Sequence, residues 1–379
     1  MEPVTHLLTG ACLARAGFNR KAAYTTLAMT VAAEAPDMDT LWSVDGPVAS
    51  FQHHRGITHT LLGLPLEGLL IVGAVWLVHR WRVRRAANTP APPAAPLAAT
   101  DETIVRPLTA APLRWGLLYG FVLIALLSHI LLDWTNNYGV RPFFPFNPRW
   151  YAGSFVFIFE PVLLVALLVG LVAPALFGLV GSEVGARRPV FRGQGWAIAA
   201  LVAMAALWGW RWVEHDVAVQ LASIATYGPA DAPPAEVLRV TASPYPGNPY
   251  HWHTVVETPG FYQIADVDAL RATVATDPEH DLFYKPQETP AMRAAKRSWL
   301  GKAYMDWSSW PLVADMGPTA PVNAAPGTPD WTAVRFSDLR FRYNTLLMQG
   351  RRDPPLSGTV YIDANQRVAR MEMGARVQK

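Results

Sequence analysis

The sequence predicts a mainly α, multi-pass helical membrane domain over residues 1–213, followed by a soluble α+β domain over 214–379. Three observations predict this division. Charged residues make up only 16% of the 379 residues against 51% apolar, where a soluble domain carries roughly 25% charged. The apolar residues are clumped, with nearly all long runs before residue 214. After it, short β-rich stretches are separated by Pro, Gly and Asp clusters, as in a water-soluble domain.

Two short apolar stretches come first, 4–16 and 22–35, the second ended by Pro36. Both fall short of the roughly 20 residues a bilayer core requires. They read as a helical pair packed on the longer spans, or as tilted interfacial segments. The runs 60–81, 113–134 and 155–180 are long enough to span, and 195–213 is a slightly shorter fourth candidate. Residues 86–112 are rich in Pro and Ala and read as a linker. In the second half, strands are expected at 237–242, 253–257, 333–343 and 358–373. The last is a hairpin around Asp363-Ala364-Asn365-Gln366. A helix is expected near 291–303.

Charge sets the orientation. Arg80, Arg82, Arg84 and Arg85 follow the first long run, and Arg187, Arg188 and Arg192 lie between the third and fourth. Lys and Arg concentrate on the cytoplasmic side, so the linker is expected inside and residues 214–379 outside. The first apolar stretch contains His6 and Arg15 and lacks the order of a cleavable signal peptide. The net charge of +3 and the flanking position of the basic clusters argue against nucleic-acid binding. Cys12 is the single cysteine, which excludes an intramolecular disulfide and a cysteine-rich zinc site.

The chemistry lies in ionisable residues at membrane depth, which are costly and mark function. Asp37 and Asp39 follow Pro36 at a helix end, where two carboxylates can converge on a turn. His54 and His59 are five apart across Gly56. His129 and Asp133 are one helical turn apart, hence on one face. With His6 they form the expected metal-ligand set. The orientation argument places all of them at one side of the membrane. Imidazole with carboxylate suits zinc, with manganese or iron as alternatives. Seven ligands exceed one ion's needs, so either two ions bind or some residues only support ligands. Asp39 or Glu160 is the expected general base, and Arg55 the group that offsets charge on a phosphoryl substrate. Blander readings stand beside these. His6 is as readily a packing residue, His129 and Asp133 a hydrogen-bonded pair, and Asp37 and Asp39 a solvated cap. His53 reads as a bystander, His79 as interfacial, and His251 and His253 as packing residues on a strand.

Pro36-Asp37-Met38-Asp39, then His54-Arg55-Gly56-Ile57-Thr58-His59-Thr60, then His129-x3-Asp133-x4-Tyr138-Gly139 resemble the motif set of the YdjM-like family of membrane-bound metal-dependent hydrolases. His6 with Gly10 and the pair Glu160-Pro161 fit it too, so the resemblance covers roughly residues 1–165. Thr60 stands where Ser is common and Glu160 where Asp is common. The resemblance selects His54 over His53. It implies metal-dependent hydrolysis in the inner membrane, with a phosphoester or lipid-linked substrate. The rival of another class is a non-enzymatic membrane protein with a structural metal and a partner-binding outer domain. A transporter is disfavoured because the acids gather at one face, and a zincin-type protease because His-Glu-x-x-His is missing. The sequence leaves the oligomeric state open.

Overall fold

A computed structural model of the chain describes residues 1–88, 107–183, 192–229, 231–320, 331–343 and 354–378. The helical half contains α1 (Pro3–Arg15), α2 (Thr25–Ala32), α3 (Pro47–His53), α4 (Leu64–Ala87), α5 (Trp115–Thr135), α6 (Pro161–Glu183) and α7 (Gln194–Ile224). Three described helices, α4, α5 and α7, are long and apolar enough to cross a membrane.

The two N-terminal stretches form a packed pair rather than spans. Thirteen residues at 1.5 Å each give α1 about 20 Å, short of a bilayer core of about 30 Å. α1 packs against α2, α5, α6 and α7, so it is an inner element. Gly10 permits this. A Cβ there would lie 2.5 Å from the Met29 carbonyl oxygen and 2.6 Å from Ala33 Cβ. Gly10→Ala should therefore push α2 away and destabilise the bundle by about 1–3 kcal/mol. A melting temperature unchanged in detergent would contradict this close approach.

The third apolar run begins its helix only at Pro161, six residues later than expected. A residue before proline is pushed out of the helical region. Residues 155–156 instead donate both backbone N–H groups to the Thr135 carbonyl. The fourth run does not stop at 213. α7 has 31 residues and continues to Ile224, beyond any bilayer core. Its last turns pack Ala218 and Ala222 against Ala242, Trp252 and Val267 of the C-terminal domain. Most of the expected linker falls outside the described residues. Its end is part of the packed domain, because Leu108 and Pro112 accept hydrogen bonds from the N–H groups of Tyr24 and Ala23.

The second half is an α+β domain of two antiparallel sheets. In the first, β1 (Arg239–Pro244), β2 (His251–Glu257) and β3 (Phe261–Asp268) lie side by side. β4 (Thr273–Thr276) and β5 (Leu282–Tyr284) pair end to end along the free edge of β3. The second is a meander of β6 (Pro311–Thr319), β7 (Trp331–Asp338), β8 (Gly358–Ile362), β9 (Val368–Met373) and β10 (Arg376–Val377). The expected hairpin is β8–β9, turned through Asp363–Gln366, with Asn365 and Arg367 donating backbone N–H groups to the Asp363 carboxylate. β7 stops at Asp338, earlier than expected.

The expected helix at 291–303 is two helices, α8 (Pro290–Arg297) and α9 (Trp299–Trp307). Ser298 divides them, its extended backbone and side-chain oxygen capping α9 at Gly301 N–H, 3.0 Å. Both helices cover the meander, packing Ala295, Leu300 and Tyr304 against Val334, Phe336 and Val360. The same core takes in Val48 and Phe51 of α3 and Tyr138 after α5. Arg340 donates to the Asn137 carbonyl at 2.7 Å, and Trp307 to that of Tyr138 at 3.2 Å. The C-terminal domain thus sits directly on the C-terminal end of α5.

Candidate metal centre

Three local structures deliver the site. Pro36 starts a tight 3-10 segment, Ala35–Asp45, which carries Asp37 and Asp39 inward. His54 ends α3, and Arg55 takes a left-handed backbone with φ 52°. Gly56 then lets a short 3-10 turn, Ile57–His59, swing His59 under α5. α5 presents His129 and Asp133 on one face, both fully buried.

Four ligand atoms converge, those of Asp37, His59, His129 and Asp133, all within 4.8 Å of one another. His59 Nε2 lies 3.0 Å from His129 Nε2. It is 3.4 Å from Asp37 Oδ1 and 3.3 Å from Asp133 Oδ2. His129 Nε2 is 3.6 Å from Asp37 Oδ1 and 3.4 Å from Asp133 Oδ2. A tetrahedral ion with bonds of about 2.0–2.1 Å sets its ligands roughly 3.3–3.4 Å apart. The observed edges straddle that value.

The hydrogen-bond partners point the same way. His129 Nδ1 lies 2.7 Å from the Ala33 carbonyl oxygen, so it carries the proton and Nε2 the lone pair. His59 Nδ1 faces Thr58 Oγ1 at 3.1 Å and Asp39 Oδ2 at 3.4 Å. Asp133 Oδ2 is buried with no hydrogen-bond partner. Two imidazole nitrogens and two carboxylate oxygens at this separation repel unless a cation lies among them. Protein charge alone answers by protonation: burial opposes charge on His59, but the nearby Asp133 and Asp37 carboxylates outweigh this and hold its pKa at about 8. The residues therefore fit a divalent ion.

The other expected residues surround this quartet. Asp39 lies behind His59. It accepts the Arg55 backbone N–H at 2.6 Å and faces His54 Nδ1 at 3.2 Å. His54 is partly exposed and reaches Asp39 rather than the quartet. Carboxylates behind a ligating histidine set its orientation, and their loss typically costs about 10- to 100-fold in metal affinity. His54→Ala should accordingly weaken metal binding by about 10-fold without abolishing it, read by titration against a chelator. Complete loss would make His54 a direct ligand.

His6 stacks on His129 at 3.8 Å between ring centroids and lies 3.3 Å from Asp133 Oδ1. Both its ring nitrogens are buried without hydrogen bonds. Arg55 is buried against Asp133: its Nη2 meets Asp133 Oδ1 at 2.8 Å, and Nη1 reaches Asn136 Oδ1 and the Gly139 carbonyl. The Met1 amino group also meets Asp133 Oδ1. Arg55's donors are thus largely committed to the protein. Glu160 is not brought to the quartet. It forms a fully buried ion pair with Arg211 of α7 at 2.6 Å and accepts the Gly247 N–H. Proline at 161 and the close approach of α7 turn it toward that junction. His53 stacks on Trp42 at 4.2 Å.

Sequence reasoning passed over three contributors. The Ala33 carbonyl, which fixes His129, has no side-chain signature. Asn136 lies just past α5 and accepts from Arg55 and from the Tyr138 N–H. Glu34 sits beside the cluster, where burial and then the charge of Asp37 push its carboxyl up to about 7. Its place just before Pro36 was the available signal.

Comparison with known proteins agrees with this region. The model of the YdjM inner membrane protein family matches residues 1–218. An uncharacterized protein of Bacillus subtilis (strain 168), YfhP, is 21% identical over 179 residues, covering 45% of this chain and 45% of that protein. The chain thus spans less than half the length of that relative. No solved structure matches.

Proposed function

The chain belongs to the YdjM inner membrane protein family, and from the metal centre within that region we propose a membrane-bound, metal-dependent hydrolase acting on a lipid-linked phosphoester. The observation that carries this reading is the buried quartet of two imidazoles and two carboxylates with an unpartnered Asp133 oxygen. Structural zinc sites are usually rich in cysteine, whereas histidine with carboxylate is the usual catalytic set. Zinc suits these ligands best, and one ion accounts for the quartet. When bound, such an ion lowers the pKa of a bound water toward about 7 and polarises the scissile bond.

The chain's own residues have distinct parts. His129, held by the Ala33 carbonyl, and His59, held by Asp39, present fixed nitrogens. Arg55 offsets the charge of Asp133 and keeps it in place. Asp37 is the one member with an exposed edge, 15%, so substrate reaches the site beside it. Asp39 is the nearest carboxylate outside the quartet to take up a proton. Met38, Leu41 and Val44 on Asp37's own segment are exposed, as are Ile57 and Leu62 beside His59. This apolar rim continues into the exposed face of α4, Leu66, Leu69 and Leu70, which favours a substrate delivered from the bilayer.

The positive-inside rule places Arg80–Arg85 in the cytoplasm, and the site and outer domain at the opposite, extracytoplasmic face. A reporter fused to the C-terminus should give an extracytoplasmic signal, and a cytoplasmic one would reverse this orientation.

Four protein ligands also describe a closed structural shell, which favours the rival of a metal staple. One experiment separates the two. Purified protein should contain about one divalent ion per chain. It should hydrolyse a member of a phosphatase, phosphodiesterase and lipase panel, and lose both properties on His129→Ala. Metal without any turnover, together with unfolding when the metal is removed, would favour the staple.

A further inference from the structure

We propose that the cavity between the loop after α5 and the outer domain binds a phosphorylated sugar. The cavity holds about 260 Å³ and is walled by Trp134, Tyr138, Trp150 and Tyr151 on the membrane-domain side, with Trp310 opposite. An adjoining cleft of about 570 Å³ shares Arg149, Trp150 and Ser309 with it. Aromatic rings with hydroxyl groups, here Ser154, Thr241 and Ser309, suit a pyranose. Such a ligand sets an apolar C–H face against a ring and hydrogen-bonds its hydroxyls. Aliphatic side chains, which an acyl chain would need, are nearly missing from both walls.

The charge balance supplies the anion. Arg340 is committed to Asp338 at 2.7 Å and to the Asn137 carbonyl. Arg239 is paired with Glu257 at 2.6 Å and lies over the Trp310 ring. Asp306, the acid in the cleft, is balanced by Arg141 at 3.0 Å. Arg149 has only the Tyr151 ring beneath it, at 5.4 Å, and no carboxylate partner among the described residues. One uncompensated guanidinium thus remains where both spaces meet, a fit for a phosphate monoester or diester. Tyr138 connects this cavity to the metal centre, lying 4.8 Å from the Arg55 guanidinium and 5.1 Å from the His54 ring. The ligand's identity as the head group of a lipid-linked phosphoester rests on the function proposed above, whereas the binding chemistry does not.

The test is isothermal titration calorimetry of the full-length, detergent-solubilised protein with glucose 1-phosphate, inorganic phosphate and methyl glucoside. Glucose 1-phosphate should bind with a Kd on the order of 1 mM. The other two, each offering half of the chemistry, should bind at least about 10-fold more weakly, a difference of about 1.4 kcal/mol. Arg149→Gln, an exposed change that leaves folding and metal content intact, should weaken binding about 10-fold, as should Trp150→Ala. Absence of saturable binding to wild type, or an unchanged Kd in Arg149→Gln, would overturn the proposal. Equal affinity for inorganic phosphate would reduce it to an anion site and overturn the sugar assignment. His129→Ala should still bind the probe. Binding by wild type while its own hydrolase screen is blank would strike the catalytic reading alone.

Discussion

His129→Ala should empty the metal site. The substitution removes one of four ligand atoms and leaves the buried Asp133 Oδ2 and His59 Nε2 facing a void. Losing a group that merely orients a ligand costs about 10- to 100-fold in affinity, so losing a ligand should cost at least about 100-fold, or roughly 2.7 kcal/mol. Metal content after dialysis against a competing chelator is the readout. It should fall from about one ion per chain to a small fraction, with helicity and elution volume unchanged. His53→Ala is the internal control, because His53 stacks on Trp42 and should keep its metal. Wild-type stoichiometry in a folded His129→Ala protein would remove the case for this centre.

Arg55→Met should cost stability rather than only activity. The guanidinium is almost wholly buried and answers Asp133 Oδ1, Asn136 Oδ1 and the Gly139 carbonyl together. Gly139 can offer that carbonyl because its φ of 85° suits glycine. Removing the guanidinium leaves the buried Asp133 carboxylate with the Met1 amino group as its remaining cationic neighbour, at a cost of up to about 3–5 kcal/mol, enough to lower a melting temperature by roughly 10 °C. The double variant Arg55→Met/Asp133→Leu should recover part of the loss, since the buried carboxylate that Arg55 answered is then gone as well. A melting temperature within about 2 °C of wild type would show that the pair does not hold the fold. Arg55 would then be free to meet substrate, as the sequence alone suggested. The same pairing makes Asp133→Asn a poor probe of ligation, because it disturbs metal and arginine at once.

Much of the site was legible because its signals are local. His129 and Asp133 share a helix face by spacing, and Pro36 and Gly56 announce the turns that carry Asp37 and His59. The membrane character was legible because an uninterrupted run of about 20 apolar residues matches the thickness of a bilayer core. The fold class followed from the contrast between the halves. Less local features escaped. β3 is buried at six of its eight positions and so shows no alternation. The break between α8 and α9 turns on one capping serine.

What the sequence determined by itself is the inventory: a membrane-embedded half, a soluble α+β half, and His and Asp residues in motifs that bring them to one end of the bundle. Only the tertiary structure decided how those residues divide. It placed Asp37, His59, His129 and Asp133 around one point, set Asp39 behind His59, turned Arg55 onto Asp133, and gave Glu160 to Arg211. The physical reason is that spacing fixes which side chains share a face of one element. Which atoms meet across elements depends on how closely those elements pack, and here that is set by Gly10 against α2, by the left-handed backbone at Arg55, and by α7 running on from the bundle to the C-terminal domain.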